Sequence, residues 1–310
     1  MDYRAFVDEQ IASIREAVGN GLAINALSGG VDSSVVTALG YRSLGNRLKT
    51  VFINNGLMRQ GEPEMVYKTF ADMGIPVELV EARPEFLYAL KGLTDPEEKR
   101  NAITRTFYST VFGKLVRDTG ARHLLHGTIL TDIEETVAGI KRQHNILAQI
   151  GIDPEKEYGY QVLEPLRTLR KDGVREVAKV LGLPPEITTR IPFPGPALAT
   201  RIVGEVTEER LATVRAATAI VEEELSNSGA FQYMAVLLND RATGIVGGKR
   251  QFGQIIVVRC IHSVDARTAT AVALPWEKLN RLCERITAIK DVNRCLYDLT
   301  PKPPATIEYI

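Results

Sequence analysis

Cysteine is scarce in this chain: Cys260, Cys283 and Cys295 are the only three in 310 residues, an odd number without CxxC spacing. They argue against a disulfide framework and a zinc ribbon, and they fit a reducing cytoplasm. All three read as small core hydrophobes, not nucleophiles. Net charge is missing as well, with 38 Lys+Arg against 38 Asp+Glu. That balance argues against a nucleic-acid backbone or an anionic membrane as the main partner, while leaving room for a local basic pocket. Long apolar runs are absent too. Ile255-Ile256-Val257-Val258 is far short of a membrane span, and Met1-Asp2-Tyr3-Arg4-Ala5-Phe6 lacks the apolar run of a signal peptide. What is present, 45% apolar and 25% charged residues over this length, is the ordinary mix of a soluble protein of two domains.

Phe6, Val7, Ile11, Ile14 and Val18 share one helical face over residues 2–18. Apolar runs at 22–27, 49–53, 77–80 and 123–126 then read as strands, alternating with helical patterns at 33–44, 62–73 and 96–118. This grammar predicts an α/β fold with a doubly wound parallel sheet and ligands outside the carboxyl ends of its strands. Residues 130–160 are polar and aperiodic, as in a lid, a binding loop or a disordered stretch. A helix resumes near Lys171 and stops before Leu183-Pro184-Pro185. Pro192-Phe193-Pro194-Gly195-Pro196 precludes regular structure, and the junction placed just after it divides the chain into 1–198 and 199–310. In the second part Thr207-Glu208-Glu209-Arg210 opens a helix to about Leu225. Strands are expected at 231–238, 243–247 and 253–262, a helix at 276–289, and a last strand at 305–309. That part is a smaller α+β domain.

The strongest local signal is Ser28-Gly29-Gly30-Val31-Asp32-Ser33-Ser34, between a buried strand and a helix expected to start at Ser33. Paired glycines allow positive φ and let backbone N–H groups reach an anion. A helix start adds unpaired N–H groups and the positive end of its dipole. Ser28, Ser33 and Ser34 offer hydroxyls. Asp32 would repel a bare phosphate, but it suits a site where Mg²⁺ lies between them. No lysine follows the glycines, so this is not the Walker loop. A tight turn with a serine cap is the plainer alternative.

The loop resembles that of the ATP pyrophosphatase family, and the resemblance extends nearly end to end to the stand-alone ATP-pyrophosphatase subunit of GMP synthetases. Carrying it are Val51–Arg59 as Val-Phe-Ile-Asn-Asn-Gly-Leu-Met-Arg, Thr94-Asp95-Pro96-Glu97-Glu98-Lys99-Arg100, and Gly127-Thr128-Ile129. Val162-Leu163-Glu164-Pro165-Leu166, the proline motif and Lys302-Pro303-Pro304-Ala305-Thr306-Ile307-Glu308 complete it. The resemblance implies an adenine nucleotide alpha hydrolase-like first domain, residues 1–198, and a second domain, 199–310, that binds the nucleotide substrate and dimerises. It implies a ligase that adenylates xanthosine monophosphate with ATP and Mg²⁺ and then aminates it to GMP, releasing AMP and pyrophosphate. ATP would be held by residues 28–34 with Asn54, Leu57, Gly127 and Thr128. Asp32 would bind the metal, and Lys141 would neutralise the departing pyrophosphate or stand as a solvated loop lysine. Asp132 and Glu135 match acidic positions, as metal ligands or as solvated charge. Arg201, Gln232, Arg241, Lys302, Thr306, Ile307 and Glu308 would bind the nucleotide. Implied partners are a separate glutamine amidotransferase subunit and a second copy of the chain, with no nucleic acid and no membrane.

Some motif positions depart from the family pattern. Asn54 replaces an acid after the second strand, Gln143 a histidine of the lid motif Lys141-Arg142-Gln143-His144-Asn145, and Ala197 a glycine after the prolines. Thr131 stands where the family has proline. The departures touch the lid and base pocket and spare the phosphate loop and the tail. Two other readings therefore stand next to the first: a paralogue that adenylates a different purine-like nucleotide, and a non-catalytic nucleotide-binding subunit.

Overall fold

The computed structural model describes residues 1–137 (side chains to 134), 160–188, 191, 193–264 and 266–309. Along the chain run α1 (Tyr3–Val18), β1 (Ala23–Ala26), α2 (Val31–Leu44), β2 (Leu48–Asn54), α3 (Glu62–Asp72) and β3 (Val77–Glu81). There follow α4 (Arg83–Leu90), α5 (Pro96–Arg105), α6 (Gly113–Thr119), β4 (His123–Leu125), α7 (Leu130–Val137) and β5 (Gln161–Leu163). Then come α8 (Lys171–Val180), α9 (Pro185–Thr188), α10 (Glu208–Leu225), β6 (Gln232–Val246), β7 (Lys249–His262), β8 (Thr270–Ala271), α11 (Trp276–Thr287) and β9 (Val292–Tyr297). Among the described residues no helix is long and apolar enough to cross a membrane.

Two compact units form. Unit one comprises Met1–Asn55, Gly61–Ala82 and Thr104–Arg190; unit two comprises Gly56–Gln60, Arg83–Ile103 and Ile191–Ile310. The sequence division at 198 thus lies within unit two, which also draws in two earlier segments. Arg215 of α10 shows how one of them is held: its guanidinium donates to the carbonyls of Gly56 (2.6 Å) and Met58 (2.9 Å).

Unit one is a five-stranded sheet in the order β3-β2-β1-β4-β5, with every pair parallel. The chain leaves β1 toward one edge and returns at β4 toward the other, so the loops after β1 and β4 flank the point where strand order reverses. The central strands are buried, as their apolar runs require: Ile24, Val51 and Phe52 have no exposed surface. Asn25, buried on β1, has a partner at each end of its amide. Its Nδ2 donates to Thr37 Oγ1 (2.6 Å) and its Oδ1 accepts from Thr50 Oγ1 (2.8 Å), tying α2 and β2 to the strand.

Helix α2 starts at Val31, two residues before the expected Ser33, because Ser34 N–H already bonds to the Gly30 carbonyl (3.0 Å). Within the stretch read as aperiodic, residues 130–137 form α7; residues 138–159 lie outside the described ones. The 96–118 pattern is helical as expected, with a π-helical turn at Thr106–Phe112 between α5 and α6. Helix α4 and strand β5 are additions to the sequence reading.

Unit two centres on the β6–β7 antiparallel hairpin, closed by Gly247 (φ 56°) and Gly248 (φ 78°), both positive as a two-residue turn of type I′ requires. The two strands expected at 231–238 and 243–247 are one strand. Its polar middle, Asn239-Asp240-Arg241-Ala242, spans an irregularity in register between Leu237 and Arg241. On the far edge of β7, β9 pairs in parallel and β8 antiparallel. The last strand expected at 305–309 is not formed. The carbonyls of Thr306 and Ile307 bond to the Arg259 guanidinium in place of a neighbouring strand. Of the cysteines, Cys260 is buried and burial pushes its thiol up; Cys295 is half-buried, with its thiol pushed up to about 12. Cys283 is exposed, contrary to its reading as a core residue.

Candidate active site

In unit one the phosphate loop emerges from β1 and turns into α2. Gly29 takes φ 75°, a left-handed conformation that leaves the following N–H groups unshielded, and Gly30 caps the helix without a side-chain bond. Ser28 and Ser33 are joined, Oγ to Oγ at 2.8 Å, and Ser33 Oγ donates to the Gly30 carbonyl (3.1 Å). Ser34 is fully buried, and its Oγ has no partner among the described residues. Val31 is buried in the first turn of α2. Asp32 sits in that same turn, at the positive end of α2. Its Oδ2 pairs with Lys171 Nζ at 2.6 Å, and its Oδ1 is buried with no partner among the described residues.

The turn after β4 completes the wall. Gly127 lies against the loop: a Cβ there would touch the Asp32 backbone and Ser33 N at 3.4 Å, an ordinary packing distance. Thr128 is 2% exposed; its Oγ1 donates to Glu164 Oε1 (2.7 Å) and lies 2.8 Å from His126 Nδ1. A hydroxyl that donates to a carboxylate accepts from its other neighbour, which places the His126 proton on Nδ1. Burial pushes the His126 pKa below its ordinary value, against the pull of Glu164 and Asp132, so the imidazole is neutral at pH 7. Asp132 Oδ2 accepts from Ile129 N–H (3.1 Å) and serves the start of α7. The side chains of Glu135 and Lys141 lie outside the described residues.

At the end of β2, Asn54 Nδ2 donates to both oxygens of Glu81, at 3.1 and 2.9 Å; the two residues are register partners on β2 and β3. The carboxylate that position 54 lacks is thus supplied next door. Leu57 is fully buried in unit two, and its carbonyl accepts from Leu198 N–H (3.0 Å).

In unit two, Arg201, Gln232 and the tail come together. Glu308 accepts from Arg201 Nε (3.2 Å), Arg201 Nη2 (3.1 Å) and Gln232 Nε2 (2.6 Å). The Arg201 guanidinium is 2% exposed and stacks 4.7 Å from the Phe193 ring; Arg59, paired with Glu222, lies 4.4 Å from the same ring. Thr306 donates to the Glu308 carbonyl, and Lys302 Nζ donates to the Ala266 carbonyl (2.8 Å). Ile307 packs on the core of Met234, Val236 and Val257. Arg241 is not in this group. Its register partner on β7, Gln254, is seven residues from that of Gln232, about 23 Å along the ribbon, and Arg241 lies on an open cavity of about 330 Å³ shared with Glu205, Arg210 and Gln254.

Sequence reasoning missed four residues. Lys171 meets Asp32 across 139 positions, which no local pattern reports. His126 and Glu164 stood next to or inside quoted motifs but were given no task. Arg259, 1% exposed, pairs with Asp298 (2.6 Å) and donates to the carbonyls of Thr300, Thr306 and Ile307. An arginine in the apolar run Ile-Ile-Val-Val-Arg-Cys-Ile was the available signal.

Comparison with known proteins adds the following. The signature described as the GMP synthase C terminal domain matches residues 219–309. The chain is similar to a glutamine-hydrolyzing GMP synthase subunit of Pyrococcus furiosus, 50% identical over 311 residues that span 99% of this chain and 97% of that one. It is similar to the subunit of the same name in Archaeoglobus fulgidus, 50% identical over the whole of both chains, and in Methanocaldococcus jannaschii, 46% identical over 99% of each.

Proposed function

The chain belongs to the family of these GMP synthase subunits, and we infer that it makes GMP from xanthosine monophosphate, ATP and ammonia. The 2-oxygen of the xanthine base attacks the α-phosphorus of ATP and pyrophosphate leaves. Ammonia then adds at C2 of the adenylated base, and AMP departs with the oxygen. The observation that carries this reading is the end-to-end identity to relatives so named, with the phosphate loop and tail intact.

The loop at Ser28–Ser34 would hold the triphosphate through its N–H groups, with Gly127 and Thr128 shaping the wall. A divalent ion suits Asp32, whose buried Oδ1 lacks a donor among the described residues. Mg²⁺ bound there would draw charge from the phosphates. Lys141 would balance the departing pyrophosphate. In unit two the Arg201–Glu308–Gln232 group would fix the tail, so that Lys302 and Thr306 meet the 5′-phosphate; Arg241 would serve from its own cavity. Ammonia would come from a separate glutamine amidotransferase subunit. The protein would act as a cytoplasmic homodimer joined through the second unit.

The test is incubation of the pure protein with ATP, Mg²⁺, ammonium and xanthosine monophosphate. Both pyrophosphate and GMP are expected. Pyrophosphate without GMP would mean a different acceptor, and neither product with ATP still bound would refute the enzyme.

A further inference from the structure

Lys171 opens α8, and Arg170 before it gives that helix no side-chain cap. A cation in the first turn sits at the unfavourable end of the helix dipole. Helix α2 likewise begins uncapped, at Val31, and it carries Asp32. The Lys171–Asp32 contact therefore joins the first turns of two helices, each contributing positive potential, part of which Asp172 offsets at the start of α8. The Asp32 carboxylate is half used: Oδ2 holds Lys171 and Oδ1 holds nothing among the described residues. Lys171 keeps 43% of its side-chain surface exposed, so its ammonium has room to turn.

A half-used acid and an exposed ammonium at two uncapped helix starts fit an anion and a cation arriving together. We propose that Lys171 is the exchanging cation of this site: it neutralises Asp32 while the site is empty and passes to the polyphosphate when nucleotide binds, freeing Asp32 for the metal ion. The same ammonium serves two anions in turn, so the site is never left with an unpaired acid. Lys171 is thereby a binding residue for the reaction's ATP, on a different element from the loop. The proposal rests on reading the loop as an ATP·Mg²⁺ site.

The exchange predicts two shifts of opposite sign in the full chain, read by binding alone. In Lys171→Gln, Mn²⁺ added alone, followed by its electron paramagnetic resonance signal, binds Asp32 about tenfold more tightly, because no ammonium is displaced. ATP in EDTA, followed by calorimetry, binds about tenfold more weakly, because its counter-charge is gone. Lys171→Arg restores both to within about threefold. Should Lys171→Gln fail to fold, Asp32→Asn reads the exchange from the other side: metal-free ATP binds more tightly than in wild type, and a fall overturns the proposal. Affinities for Mn²⁺ and ATP that fall together, or that both stay unchanged, overturn it as well. Wild-type protein that binds neither probe would sink the ATP·Mg²⁺ reading itself, a result distinct from same-sign shifts.

Discussion

Arg259→Ala is expected to unseat the C-terminal tail. Its guanidinium, 1% exposed, holds Asp298, itself 11% exposed, and the carbonyls of Thr300, Thr306 and Ile307. Removing one member of such a buried pair leaves the other charge uncompensated, at a cost of about 3–5 kcal/mol. The carbonyls of Thr300, Thr306 and Ile307 gain water as the tail lifts, so they add little. For a unit of this size that loss lowers the melting temperature by about 10 °C. Acid should narrow the gap. Burial alone would raise the Asp298 carboxyl, but hydrogen bonds from Thr300 and the charge and hydrogen bond of Arg259 outweigh it and hold the group below its usual range. A carboxylate lowered on folding gives its full stabilisation above its ordinary value and loses it as pH falls from there through the lowered, folded value. The gap between wild type and Arg259→Ala should therefore begin to close below about pH 4 and shrink further as the acid deepens. Thermal melts at pH 7 and at acid pH, with Asp298→Asn and the double variant, provide the check. The two single losses should sum to more than the double by about 2 kcal/mol. A single variant that melts within about 2 °C of wild type at pH 7 would refute the anchoring role.

Arg201→Lys loses the two-pronged bond to Glu308 and the stacking on Phe193; the Michaelis constant for the nucleotide substrate should rise about tenfold while that for ATP stays put. Thr128→Val removes the hydroxyl shared by His126 and Glu164. It should raise the ATP Michaelis constant about tenfold and leave the nucleotide constant unchanged, and steady-state kinetics separates the two. Asn54→Asp sets a second acid against Glu81. Urea unfolding should show it less stable by about 1 kcal/mol in low salt, with the loss fading as salt screens the pair. Equal loss at low and high salt would refute the like-charge account.

The parallel sheet was legible because its central strands are buried on both faces and read as unbroken apolar runs, such as Val51-Phe52-Ile53. The phosphate loop was legible because paired glycines before a helix have few other uses. The middle of β6 was not, since Asn239-Asp240-Arg241-Ala242 looks like a turn and only pairing with β7 keeps it extended. The tail failed for the opposite reason. Thr306-Ile307-Glu308-Tyr309 alternates like a strand, but a buried arginine takes its carbonyls. The site's long-range pairs, Asp32 with Lys171 and Asn54 with Glu81, were beyond any local pattern. The second is a consequence of sheet register and became readable once β2 and β3 were aligned.

Ala197, where the family pattern has glycine, shows how a departure inside a motif can cost little. It takes φ 54° and is 2% exposed. The left-handed conformation costs a residue with a Cβ about 1–2 kcal/mol. Against this stand two gains over glycine: about 0.4–1 kcal/mol from a less flexible unfolded chain, and about 0.8 kcal/mol from a buried methyl. The terms nearly cancel, so Ala197→Gly should change the unfolding free energy read from denaturant curves by no more than about 0.5 kcal/mol. Ala197→Val adds branching at the same positive φ, where β-branched side chains are true outliers, and should cost at least about 2 kcal/mol. If glycine stabilised the protein by more than about 1 kcal/mol, the methyl would be a burden and the cancellation wrong. If valine were tolerated, the positive φ would carry no such cost, and the steric account of this position would be refuted.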